Sequence, residues 1–340
     1  MSTTQVSESV PRNIVRDGAL RNQLLLRRDR LQGAIPAARS AEPLVALLRE
    51  VDSALERMQA GTFGICETCH DTIENHRLLA DPLCRNCLDH LSPAEQRALE
   101  RDLDLAYQVQ RGLLPRPGFA PAGWRIAYQY EPLGAVSGDY CDLIVLDDGT
   151  GYFLLGDVMG KGVAASMLMS HLHAIFRSLT TATRQVHELV AKANRIFCEG
   201  TLSTFFATLV CGRLGADGQV EICNAGHCHP LHLHDGSVSR IESTGLPLGL
   251  FADAEYTSCR TTLAADDSLV VYSDGVSEAS NVDGEQYGVE RLAQVTRRHG
   301  MLSPDRLVTA LLANWDGFRS SAPRTDDWTV MAVRRESRAS

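Results

Sequence analysis

The segment GDVMGKG, Gly156–Gly162, ends an apolar run (Tyr152–Leu155) on a carboxylate and sets a lysine between two glycines. Lysine is scarce here: Lys161 and Lys192 are the only two among 33 basic residues. A phosphate-binding loop would read G-x-x-x-x-G-K-[ST], and this stretch has neither that spacing nor the hydroxyl. Asp157 would also repel a phosphate unless a cation lay between them. Asp139, in SGDYCD, stands at the start of a second strand-like run. The Asp148–Gly149 turn between them predicts a hairpin. That hairpin folds Tyr140 roughly opposite Asp157 and brings Asp139 and Asp157 to one open end. Asp274 closes LVVYSDG and Asp326 precedes WTVMAV, so two more carboxylates stand at strand ends. Singly, each is an ordinary turn or cap residue. Together the four describe a hard-cation site for Mg²⁺ or Mn²⁺.

A second metal signal lies upstream. Cys66, Cys69, Cys84 and Cys87 form C-x2-C-x14-C-x2-C, a spacing that sets four thiolates around one Zn²⁺. Four thiolates close the shell, so the expected role is structural. His70 adjoins the first pair and reads as an exposed polar residue. The remaining six cysteines lie singly in apolar or strand-like contexts and read as small core residues. His227, His229, His232 and His234 crowd NAGHCHPLHLH, where alternation puts neighbours on one strand face; a separate metal site there is the less favoured reading.

The elements that must position these residues fall into three textures. Residues from about Ile14 to Ala60 read as two helices around GAIPAARSAEP, an antiparallel hairpin. After the cysteines, PAEQRALERDLDLAYQVQRGLLPRP is helical, opened by Ser92–Pro93 and stopped by Pro115. Leu99, Leu103, Ala106, Gln110 and Leu113 recur at alternating spacings of four and three. This is either a short coiled-coil seam, favoured here as a parallel dimer linker, or an amphipathic face packed on its own domain. From Trp124 onward, short strands alternate with turn signals, and helices are expected at Val163–Thr180, Gln185–Glu199, Val289–Arg298 and Pro304–Trp315. Hairpins dominate and no βαβ alternation occurs, which predicts an α+β fold of packed antiparallel sheets with helices outside. The expected division is 1–62 helical hairpin, 63–91 zinc finger, 92–120 helical linker and 121–336 catalytic domain.

The net charge of −9 argues against general nucleic-acid or anionic-membrane binding, which need basic surface. No apolar run reaches the length of a membrane span, and MSTTQVSESVPRN has no hydrophobic signal core. Unpaired cysteines and a thiolate cluster fit a reducing, cytoplasmic location.

The motifs also match known families in order. ALERMQAGTFGICETCHDTIENHRLLADPLCRNC resembles the C4 zinc finger of the DksA/TraR family, over roughly residues 40–90. That family binds RNA polymerase through acidic residues at a coiled-coil tip; GAIPAARSAEP has no paired aspartates, so the finger carries over without polymerase regulation. GDYCD, GDVMGKGVAASMLM, NAGHCHPLHL, GLPLGLFADAEY, LVVYSDGVSEASNVDGEQYG and DDWTV resemble the SpoIIE/RsbU-like branch of the PPM metal-dependent protein phosphatases. That resemblance runs from about Leu103 to Arg334. It implies two antiparallel sheets flanked by helices and a binuclear Mn²⁺/Mg²⁺ centre. Its metal ligands would be Asp139, Asp157, Asp274 and Asp326, with the Val158 carbonyl. Asp326 rather than Asp327 aligns with the first acidic position of its motif.

Two cations about 3.5–4 Å apart activate a bridging water for in-line attack on phosphorus. Asp157 is expected to bridge them; Lys161 reads either as steering the phosphoryl group, at a helix N-terminus that favours anions, or as a solvated lysine. No counterpart of the arginine that grips phosphate in animal members is evident. The expectation is therefore a phosphoserine/phosphothreonine phosphatase acting on a bacterial regulatory protein such as an anti-sigma-factor antagonist. The competing reading is a transcription-associated binding protein that uses the finger, with the phosphatase fold as scaffold.

Overall fold

The structure is a computed structural model that describes residues 14–37, 41–202 and 204–336. The polar stretch 1–13 and residues 38–40 of the interhelical segment lie outside the described residues. The chain divides into two compact units between Arg101 and Asp102, each described by itself below. No helix among the described residues is long and apolar enough to cross a membrane.

In the first unit, α1 (Ile14–Ala34) and α2 (Glu42–Ala60) pack on each other through Leu24, Leu31, Val51, Ala54 and Leu55. Pro43 sits in the first turn of α2, where a missing N–H costs nothing. Gly61 ends the helix in the left-handed region, its N–H reaching the Arg57 and Met58 carbonyls, as a C-terminal glycine cap does. The cysteine segment follows, with a short helix α3 (Asn75–Ala80) between its two pairs. Helix α4 (Pro93–Leu113) opens with a reciprocal cap. The Glu95 carboxylate accepts from the Ser92 N–H at 2.9 Å, and the Glu95 N–H donates to Ser92 Oγ at 3.3 Å, a capping box.

The second unit holds two five-stranded antiparallel sheets. One has the order β1 (Trp124–Glu131), β10 (Trp328–Arg335), β9 (Ser268–Tyr272), β6 (Leu231–His234), β7 (Ser237–Arg240). The other runs β2 (Asp139–Val145), β3 (Gly151–Val158), β4 (Ala207–Leu214), β5 (Gln219–Ala225), β8 (Cys259–Thr262). Trp124, Leu143, Phe153, Leu155, Val210, Val271, Met331 and Val333 fill the space between the sheets. Helices α5 (Gly162–Leu179) and α6 (Val186–Gly200) cover the second sheet, burying Tyr152, Leu154, Leu209 and Phe197. The first sheet is covered by α8 (Gly288–His299) and α9 (Pro304–Arg319). Central strands are thus buried on both faces. That explains the unbroken apolar run Tyr152–Leu155: Phe153 and Leu155 face the other sheet, Tyr152 and Leu154 the helices, as period-two alternation requires.

The four helices expected in this unit hold with end shifts of a few residues, and two details differ. The hairpin register pairs Asp139 with Asp157 directly, and Tyr140 with Gly156, one position from the expected pairing. The Leu146 N–H bonds the Thr150 carbonyl and the Gly149 N–H the Leu146 carbonyl, so turn geometry decides the register. Strand β7 was not expected because Ser237–Arg240 is mostly exposed and polar, leaving no apolar alternation to detect.

Candidate metal centre and zinc site

Antiparallel pairing places the start of β2 beside the end of β3, and the end of β9 beside the start of β10. Asp139 and Asp157 therefore sit opposite each other on one sheet. Asp274 leaves β9 into a single helical turn, α7 (Asp274–Ser277), and Asp326 enters β10. Two glycines permit this approach. A Cβ on Gly138 would stand 2.9 Å from the Val158 carbonyl oxygen and 3.3 Å from Asp157 Oδ1; one on Gly275 would overlap the Asp327 carbonyl oxygen.

Asp139 is only 1% exposed. The Thr329 hydroxyl donates to its Oδ2, and Ser137 Oγ accepts its N–H at 3.0 Å. Burial, then the Asp157 charge, pushes the Asp139 carboxyl well above the usual range. Asp157 is pushed up to about 8, first by burial and then by Asp274, Asp326 and Asp327, with Lys161 opposing. Asp274 is raised by burial, Asp326 and Glu278. The Lys161 ammonium lies 2.9 Å from Asp326 Oδ2 and donates to the Thr325 carbonyl.

Elsewhere this fold pairs its buried carboxylates. Asp142, on the same strand as Asp139 and fully buried, takes a two-pronged contact from Arg177 at 2.7 and 3.0 Å. Glu221 takes Arg213 at 2.9 Å and the Ser258 hydroxyl at 2.8 Å. At the Asp139–Asp157–Asp274–Asp326 edge a single lysine faces four carboxylates. Such like-charged, partly desolvated oxygens are costly alone and suit divalent cations with oxygen preference. No three of these aspartates offer oxygens all within 4.8 Å of one another among the described residues, so the constellation is wider than one closed coordination shell.

Asp327 takes a different part. Its Oδ1 accepts the Leu133 N–H at 2.7 Å and its Oδ2 the Gly138 N–H at 3.1 Å. It thereby anchors the loop that delivers Asp139, a role that adjacent aspartates in DDW do not reveal. A second anchor was also missed: Gln110 in α4 donates to the Ser137 carbonyl at 2.7 Å and accepts the Ser137 N–H at 3.0 Å. Gln110 and Leu113, two of the five seam positions, are thus used within the second unit. His227 is buried, held neutral with a pKa of about 4 by that burial, and its Nδ1 lies 2.7 Å from Thr208 Oγ1.

In the first unit, Cys66, Cys69 and Cys87 converge, with Cys69 and Cys87 sulfurs 3.7 Å apart. Their ligand atoms and that of His90 lie within 4.8 Å of one another; His90 Nδ1 is 3.3 Å from Cys87 Sγ. Cys84 borders the same apolar cluster but lies outside that set, its sulfur 3.9 Å from Arg77 Nη2. His90, three residues after Cys87, was not singled out from the sequence; a histidine at that short spacing was the available signal. Soft thiolates converging in this number fit Zn²⁺.

Residues 147–336 match the Stage II sporulation protein E (SpoIIE) family, and residues 61–89 match the prokaryotic dksA/traR C4-type zinc finger. Among relatives, Protein IcfG of Synechocystis is 25% identical over 264 residues, 69% of this chain and 41% of that protein. Phosphoserine phosphatase RsbU of Bacillus subtilis is 25% identical over 249 residues, 71% of this chain and 72% of that one. This chain therefore spans less than half the length of the first. The SiaA-PP2C domain of Pseudomonas aeruginosa superposes with a TM-score of 0.64 at 19% identity, covering 72% of this chain and 99% of that one. Two packed antiparallel sheets between helical layers are thus the PP2C-type fold. The chain belongs to the SpoIIE family.

Proposed function

We propose that the chain is a metal-dependent protein phosphatase that removes phosphate from phosphoserine or phosphothreonine on a regulatory protein, an anti-sigma-factor antagonist being the expected kind. One observation carries this reading: four carboxylates from four strand ends lie at one edge faced by a single lysine, whereas the buried Asp142 and Glu221 are each paired with an arginine. The phosphatase names of similar proteins such as RsbU support it.

Asp139, Asp157, Asp274 and Asp326, with the Val158 carbonyl, would hold the cations, Asp157 being the shared ligand. When bound, two Mn²⁺ or Mg²⁺ ions lower the pKa of a shared water and balance phosphoryl charge. Asp327 and Gln110 keep the Ser137–Asp139 segment in place. Lys161 holds Asp326 and stands at the N-cap of α5, whose free amides favour a phosphoryl anion. The first unit binds one structural Zn²⁺ through Cys66, Cys69 and Cys87, with Cys84 or His90 completing the shell. The working division is a helical hairpin (1–62), finger (63–91), linker (92–120) and phosphatase domain (121–336). Exposed Leu105 and Val109 on α4, within the second unit, leave apolar surface for a homodimer contact.

The test is phosphate release from a phosphorylated partner with Mn²⁺ or Mg²⁺ present. Release by the wild type, lost in Asp157→Asn and Asp274→Asn, is the expected outcome. No release across a panel of phosphoproteins from metal-loaded protein would overturn the enzyme reading.

A further inference from the structure

The far end of β9 carries a second constellation. Asp267 immediately precedes this strand and Asp274 follows it, so the two lie roughly 20 Å apart along an extended chain. His232 and His234 alternate on β6, which pairs antiparallel with β9: His232 opposes Leu269 and Leu233 opposes Ser268. One further step of that register brings His234 to Asp267. The His234 Nδ1 lies 2.8 Å from Asp267 Oδ2, and His232 Nε2 lies 3.6 Å from the same oxygen. One ligand atom from each of the three side chains lies within 4.8 Å of the other two. This is the one such set that the described residues of the second unit contain.

Two features go beyond a salt bridge. His232 Nε2 is buried and has no hydrogen-bond partner, although a buried ring nitrogen normally finds one. The Asp267 carboxylate is fixed from behind, its Oδ2 accepting the Ala264 N–H at 2.8 Å, which is the kind of outer support that orients a metal-ligating acid. His234 and Asp267 line an open surface cleft, and His234 is 61% exposed, so an ion has a way in. Two imidazoles and one carboxylate are borderline donors that select Zn²⁺ and its first-row neighbours over Mg²⁺ or Mn²⁺.

We propose that His232, His234 and Asp267 form a transition-metal site, distinct from the aspartate centre and from the cysteine cluster, that clips β6 to the start of β9. The three side chains supply His232 Nε2, His234 Nδ1 and one Asp267 oxygen, and solvent takes the remaining position. The site binds Zn²⁺ as a staple at the base of the strand that presents Asp274. It does not depend on the phosphatase reading.

The test uses the full chain with its cysteine cluster zinc-loaded and millimolar Mg²⁺ present to occupy the oxygen ligands. Zn²⁺ is then titrated against a chromophoric chelator. Wild type is expected to take up one zinc more than the His232→Gln/His234→Gln double variant, and His234→Gln alone to weaken that site at least tenfold. Equal zinc uptake by wild type and double variant would overturn the proposal, and would leave the histidines as partners of a buried acid. Should the double variant lose its circular-dichroism signature, the wild type alone decides. One added equivalent of Zn²⁺ should then protect His232 and His234 from diethylpyrocarbonate while the exposed His70 reacts. Unchanged modification of all three would reject the site.

Discussion

Asp157 stands where burial and three neighbouring carboxylates act on one group, which holds its pKa near 8. In the unfolded chain the same carboxyl titrates at about 4. Because the folded pKa is the higher one, the metal-free fold binds the extra proton, and its stability falls as pH rises from about 4 to about 8. Asp157→Asn removes that penalty. The metal-free variant is expected to be more stable than wild type at pH 8 by on the order of a few kcal/mol, the difference fading toward pH 4 in urea melts. The same variant should lose phosphate release by about 10³-fold. Gain of stability with loss of activity is what a residue kept for chemistry predicts. Gly138→Ala acts by sterics: its methyl would meet the Val158 carbonyl and Asp157, and overpacking there should cost about 1–3 kcal/mol. An unchanged melting midpoint would show that the loop gives way freely.

At the scale of elements, β2, β3, β9 and β10 do the positioning, and α4 holds the loop that leads from β1 into β2. Gln110 pairs with both backbone groups of Ser137, two residues before Asp139. Gln110→Ala leaves a buried N–H and C=O without partners, at a cost of about 1–3 kcal/mol each. It is expected to raise the metal concentration needed for half-maximal phosphate release more than it lowers the maximal rate. A purely structural role would lower melting temperature and leave the metal requirement where it was. Asp326→Asn and Asp327→Asn separate two adjacent acids in the same way. Calorimetric Mn²⁺ titration should find the first weaker in binding at unchanged stability. The second should be less stable, because Asp327 anchors Leu133 and Gly138.

The whole molecule comprises two units with different sources of stability. The second has three apolar clusters spread over two sheets and the helices packed on them. Around its cysteines the first has a small one, formed by Leu20, Cys66, Ile73, Leu78 and Cys87. Cores of that size commonly depend on a bound metal. Removing zinc with a strong chelator should therefore melt the first unit at lower temperature while the second keeps its own transition, seen as two separated calorimetric peaks. A single unchanged transition would mean that the finger does not need its metal to fold.

Much of this was legible in the residues themselves. Apolar runs with period two, Asp-Gly turns and paired cysteines act over a few positions, so the sheets, the hairpin carrying Asp139 and Asp157, and the thiolate cluster could be read locally. What tertiary structure decided were choices between near-equivalent neighbours. The division of labour between Asp326 and Asp327 depends on which way each side chain leaves the backbone, and the use of Gln110 depends on a loop 27 positions away. His90 entering the cysteine set while Cys84 turns to Arg77 is of the same kind, as is the meeting of His232 and His234 with Asp267. Local spacing determines which groups can reach an ion; only long-range packing determines which of them do.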